Sequence, residues 1–171
     1  MRELTEDKSI QKYLSQGDMM EVINDYLPRD KSDFERVSKL ENLDKSIIVL
    51  LIPKLLEWLQ DINWPIAMDV ATILLKYSEE TTPYVKKVLR SNDDIWKDWC
   101  LIYFVEKLPQ RLKTEFMDDL IRISSNPTHG EKLEEVNETA EMILQSILSQ
   151  NRFREGNRKG YIIRDNNEGM I

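Results

Sequence analysis

The residue types best suited to chemistry gather around one short stretch, Gln-Asp-Ile-Asn-Trp-Pro at 60–65, with Trp58 just ahead of it. Trp58, Asp61, Asn63 and Trp64 put two indoles, a carboxylate and an amide within seven residues. A second stretch, Asn-Asp-Asp-Ile-Trp at 92–96, adds Asp93, Asp94 and Trp96. If the two stretches stack, Asp61, Asp93 and Asp94 supply oxygen ligands of the kind a divalent cation takes. Asp61, Asn63 and Asp93 would then suit a small hydrolase or a polar ligand site. The tryptophans offer a different use, an aromatic wall that anchors a protein partner. The same residues also have a purely structural reading. Trp58 would close one helix, Pro65 would open the next, and aspartates at a helix start satisfy free amides and complement the dipole.

Other chemistry is sparse. His129 is the single histidine, so no His-pair metal site can form, and it falls at an expected helix start. Cys100 is the single cysteine and sits in the apolar stretch Trp-Cys-Leu-Ile-Tyr-Phe, where a thiol acts as a small apolar group. Adjacent acids such as Asp118-Asp119 and Glu134-Glu135 point in different directions on a helix and make poor proton-sharing pairs. Gly-rich phosphate loops, nucleophile elbows and helical zinc motifs do not occur in the sequence. No residue is therefore assigned a catalytic or metal-binding role, and no cofactor is called for.

The 171 residues carry a formal charge of −7. Residues 151–171 hold Arg152, Arg154, Arg158, Lys159 and Arg164 against Glu155, Asp165 and Glu168, a balance of +2, which leaves −9 for the first 150. Such a body repels phosphate backbones, so nucleic acid is not an expected partner and a glycosylase-like reading of helical repeats is disfavoured. A basic protein partner would be drawn to it instead. The start of the chain lacks the apolar core of a signal peptide, and no stretch approaches the length of a membrane span. The expected compartment is the cytoplasm, with no membrane partner.

Only five glycines, set among many leucines, isoleucines, lysines and glutamates, favour helices over a turn-rich β fold. Ser32-Asp33-Phe34-Glu35 fits a capping box for a helix over 32–43 whose inner face takes Phe34, Val37, Leu40 and Leu43. Asp44 can cap the segment that follows. Pro53, Pro65, Pro83 and Pro109 each precede helical apolar spacing and read as helix starts, with Thr82 as a cap partner. The resulting helices are 53–60, 65–78, 83–90, 94–106, 109–124 and 129–149. The last begins with a second capping box, Thr128 to Glu131, and points Leu133, Val136, Ala140, Ile143, Ile147 and Leu148 inward. A short helix near 10–14 and a segment capped by Asp18 precede these. Residues 151–171 hold three of the five glycines and read as an irregular extension in which 161–163 could dock as a strand or clip.

Pro53 and Pro83 are 30 residues apart, and Asp61-x-x-Trp64 echoes at Asp93-x-x-Trp96. That period suits stacked two-helix units, each unable to bury its apolar face alone. The expected fold is all-α, a single domain over 1–150 of stacked antiparallel helix hairpins forming a HEAT-like α-α superhelix.

Four segments, in this order and spacing, resemble a bacterial family of small cytoplasmic domains known only as a domain of unknown function. They are Pro-x-x-Lys-x-Asp at 28–33, Trp-Leu-Gln-Asp-x-Asn-Trp-Pro at 58–65, Asp-Asp-x-Trp at 93–96 and Asn-Pro-Thr-x-x-Glu at 126–131. The resemblance runs over roughly 20–148, implies a compact helical fold similar to HEAT-type repeats, and brings no activity with it. The functional expectation is a non-enzymatic interaction module with an acidic surface for a protein partner, with toxin immunity as one form. The alternative is a small hydrolase or a metal- or ligand-binding protein using the Asp61, Asn63 and Asp93 corner.

Overall fold

A computed structural model of the protein describes residues 24–164, with side chains placed as far as Gln150. The elements expected near 10–14 and around Asp18 lie outside the described residues, as do 165–171. The described chain is all-helical and contains no strand. It divides into two compact units, the first ending at Tyr84 and the second beginning at Val85.

In the first unit, α1 (Phe34–Leu40) leads into α2 (Lys45–Leu56), which tightens into a 3-10 turn at Glu57–Leu59. After the Trp-Pro corner comes α3 (Ala67–Lys76), and α4 (Ser78–Leu89) follows at a break at Tyr77. Helices α1 and α2 both pack against α3. Leu40, Ile48, Leu51, Leu55, Leu59, Val70 and Leu74 are all at most 1% exposed and form the core of this unit.

Several helix starts differ from expectation. Asp33, one residue later than Ser32, caps α1 by accepting from Arg36 N at 3.4 Å, and this register leaves Phe34 half exposed. Pro53 and Pro83 lie inside α2 and α4 instead of opening helices. Both stand on exposed faces, where water can serve the carbonyl that a proline ring leaves without an amide. Thr82 therefore caps nothing: its hydroxyl donates back to Ser78 O at 2.8 Å. Buried Thr81 donates to Leu74 O at 3.2 Å, a carbonyl that also accepts Tyr77 N at 3.1 Å, and so ties α4 to the end of α3 across the Tyr77 break.

The second unit takes the end of α4, then α5 (Asp94–Tyr103) and a 3-10 turn at Val105–Lys107. The segment expected as one helix over 109–124 is three pieces: α6 (Gln110–Lys113), a 3-10 turn at Thr114–Phe116, and α7 (Met117–Ser125). Thr114 donates to Arg111 O at 2.7 Å, and the tightened turn still seats Phe116 in the core. The expected helix over 129–149 is likewise broken, into α8 (His129–Leu133) and α9 (Val136–Arg164). The break is at Glu135, whose φ of 57° is left-handed, and it turns Leu133 out to 70% exposure. Leu148 is also exposed, whereas Val136, Ala140, Ile143 and Ile147 are buried as their spacing requires. Helix α9 packs on α7, α5 and α8. It continues through 151–164, where an irregular extension with a strand or clip at 161–163 was expected.

Candidate functional site

In the first unit, the rings of Trp58 and Trp64 meet edge to face, with centroids 5.4 Å apart and planes at 72°. They line a hollow of about 300 Å³ with Leu27 and Pro28, and with Lys54 and Glu57, which pair at 2.9 Å. The Pro-x-x-Lys-x-Asp stretch is tied to this corner: Ile66 N donates to Lys31 O at 3.3 Å. Asp33 holds that stretch in shape, accepting Arg29 Nε at 2.6 Å and Nη2 at 3.1 Å. The bond from Arg29 keeps its carboxyl well below the usual carboxylate range, against an opposing effect of burial.

Asp61 and Asn63 do not point a free acid and amide into this hollow. Asp61 Oδ1 accepts Asn63 N at 2.9 Å and Asn63 Nδ2 at 3.0 Å, a side-chain-closed turn. Helix α3 starts beyond it at Ile66 with no side-chain cap.

In the second unit, Asp93 is a true helix cap: its Oδ1 accepts Trp96 N at 3.0 Å. Matching letters thus carry two local structures, a closed turn at Asp61 and a cap at Asp93. Asp93→Ala is expected to cost about 0.5–2 kcal/mol, and Asp61→Ala less. Urea denaturation of the two variants checks the order, and equal losses would contradict it.

Beside Asp93 lies a centre that the sequence reading did not assemble. Glu131 is fully buried. Its carboxylate accepts Arg122 Nη1 at 2.8 Å and Nη2 at 2.6 Å, Lys97 Nζ at 2.8 Å and Thr128 N at 2.8 Å. Thr128 Oγ1 accepts Glu131 N in return, so the predicted capping box forms. Lys97, 2% exposed, also donates to Asp94 Oδ1 at 2.7 Å. Burial alone would raise the Glu131 pKa, but the bonds from Arg122 and Lys97 overcome it and hold the carboxyl at about 2. Asp94 in turn lies against Gly130, where a Cβ would fall 3.1 Å from Asp94 Cγ and closer still to Oδ2.

The motif pairs therefore converge within each unit. The 28–33 stretch meets the tryptophan corner, and the Asp-Asp-x-Trp stretch meets Asn-Pro-Thr-x-x-Glu. The capping signature made Glu131 findable as a helix-start residue. Lys97 had a weaker signal, a cation in register with Cys100, Leu101 and Phe104, all buried. Cys100 itself is fully buried, and burial pushes its thiol up, away from nucleophilic use. Among the described residues no group of three or more His, Cys, Asp or Glu side chains is arranged to hold a metal, and no helix is long and apolar enough to cross a membrane.

Large apolar side chains are left in solvent on the second unit: Ile95, Ile121, Leu133 and Met142 are between 45% and 70% exposed. Ile95 and Leu133 share an open hollow of about 660 Å³ with Asp93, Asp94, Gly130 and Glu134. Comparison with curated proteins returns no match. A family model does match, over residues 26–144, and its description is a domain of unknown function, DUF5071.

Proposed function

We propose that this chain, which belongs to the DUF5071 family, is a non-enzymatic protein-interaction module: a HEAT-like stack of helix hairpins that offers an acidic surface to a basic protein partner. One observation carries the reading: large apolar side chains stand in solvent amid carboxylates, with Leu133 70% exposed at the end of α8, two residues before the left-handed Glu135. Exposed apolar groups rimmed by polar ones mark interaction surfaces. The excess of acid adds steering of a cationic partner, which raises association rates in a salt-dependent way. Neutralising a toxin encoded nearby in a bacterial cytoplasm is one form of such a role.

The test is recovery of complexes on the tagged full chain from its native host. The expected result is a stoichiometric partner of net positive charge that dissociates as ionic strength rises. A chain that stays alone at physiological salt, or whose partners are acidic, overturns the reading. The immunity form further requires that the adjacent gene's product arrest growth alone and be harmless when this chain is coexpressed.

A further inference from the structure

We propose that the hollow between the start of α5 and α8 docks a basic protein segment, one presenting a large apolar side chain flanked by lysines or arginines. This rests on the interaction-module reading and names the face and the partner chemistry.

The floor is apolar and accessible, since Ile95 is 49% and Leu133 70% exposed and both line the same hollow of about 660 Å³. Helical spacing from Val136 would bury Leu133, and only the left-handed turn at Glu135 holds it outward. The surrounding groups are anionic. Asp93, Asp94 and Glu134 line the hollow, and Glu135 follows directly. Two of these carboxylates are fixed in place, Asp93 by capping Trp96 and Asp94 by Lys97. A rim that is ordered before binding loses little freedom on binding. Its negative field is felt nearby at Asp98, whose carboxyl is pushed up first by burial and then by Glu135 and Glu134, against a bond from Thr139. Lys97 and Arg122 are committed to Asp94 and Glu131 in the buried centre, and the acids they leave at and beside the hollow are Asp93, Glu134 and Glu135.

Charge selects among occupants. Nucleic acid would meet carboxylates, and a second copy of a chain at −7 would bring like charge to the rim. A segment combining an apolar anchor with flanking cations satisfies both parts of the surface.

Two synthetic peptides test this, one with a central pair of leucines flanked by lysines and the other identical but with serines for the leucines. Each is titrated calorimetrically into the full chain at low salt. The leucine peptide is expected to bind at least tenfold more tightly than the serine peptide. Leu133→Ser, at an exposed position that should not disturb folding, is expected to remove that advantage, and Glu134→Gln to weaken binding and flatten its salt dependence. Equal binding of both peptides, no binding of either, or indifference to Leu133→Ser overturns the docking site. So does light scattering that shows the chain dimerising through Leu133. A basic protein partner still recovered on Leu133→Ser would mean that this face is wrong while the interaction-module reading stands.

Discussion

Glu131→Gln is expected to lower the unfolding free energy by about 3–5 kcal/mol, read as a shift of the urea midpoint at nearly constant slope. The substitution keeps the size of the side chain and removes one charge. Arg122, whose side chain is 40% exposed, can turn its guanidinium toward water, but Lys97, at 3%, cannot. An ammonium left buried with only Asp94 for a counter-ion is the main cost, and loss of the carboxylate acceptor for Thr128 N adds to it. Because removing one partner is the damaging step, removing both should be milder. Lys97→Met combined with Glu131→Gln is expected to recover a large part of the loss, and the non-additivity measures the coupling. If the double variant falls by the sum of the singles, the two side chains do not share the buried charge as described.

The same pair sets a pH dependence. The folded-state pKa of Glu131 is about 2 against an ordinary 4.5. A depressed acid stabilises fully above its unfolded value and loses that contribution as pH falls through its folded value. Thermal stability should therefore drop between about pH 4.5 and 2, and the drop should be shallower in Glu131→Gln, which has no carboxyl to protonate. Asp33, held low by Arg29, contributes in the same direction in both proteins and cancels in the comparison. Asp98 works the other way, since its raised carboxyl is relieved by protonation. A variant with the same acid slope as the parent would place the sensitivity elsewhere.

Periodicity carried the all-helical class well where one face is buried along a continuous turn, as at Val136, Ala140, Ile143 and Ile147. Punctuation carried less. A proline reads as a helix start because its missing amide costs nothing there, but an exposed interior position lets water serve the freed carbonyl, and Pro53 and Pro83 use that route. The break at Glu135 was illegible because left-handed backbone is normally announced by glycine or asparagine, and two glutamates announce nothing. Glu131 was visible as a cap, yet its burial depends on Lys97, 34 residues away, and no local pattern reports such a contact. The tryptophan corner was legible as a corner, since Trp58 and Trp64 do pack together. The role of Asp61 was not, because the amide it accepts belongs to Asn63 and not to a helix start.

Gly130→Ala is expected to destabilise by about 1–3 kcal/mol, as overpacked sites do, where helix propensity alone predicts a gain approaching 1 kcal/mol. Gly130 lies within α8, so its backbone is helical and an alanine there is favoured intrinsically. What opposes it is Asp94: a methyl at position 130 would stand 3.9 Å from Asp94 Cβ, 3.1 Å from Cγ and in collision with Oδ2. A free carboxylate would swing aside at little cost. This one is held by Lys97 at 2.7 Å, and Lys97 is itself committed to Glu131, so retreat by Asp94 loosens the buried centre. The reversal can be isolated by repeating the substitution in an Asp94→Ala background, where the space is open and the intrinsic preference should return, making Gly130→Ala neutral or stabilising. An identical penalty in both backgrounds would show that α8 resists the methyl for a reason other than Asp94. A sign change would establish that the close approach at Gly130 fixes Asp94, and with it one carboxylate of the hollow that Leu133 and Ile95 floor.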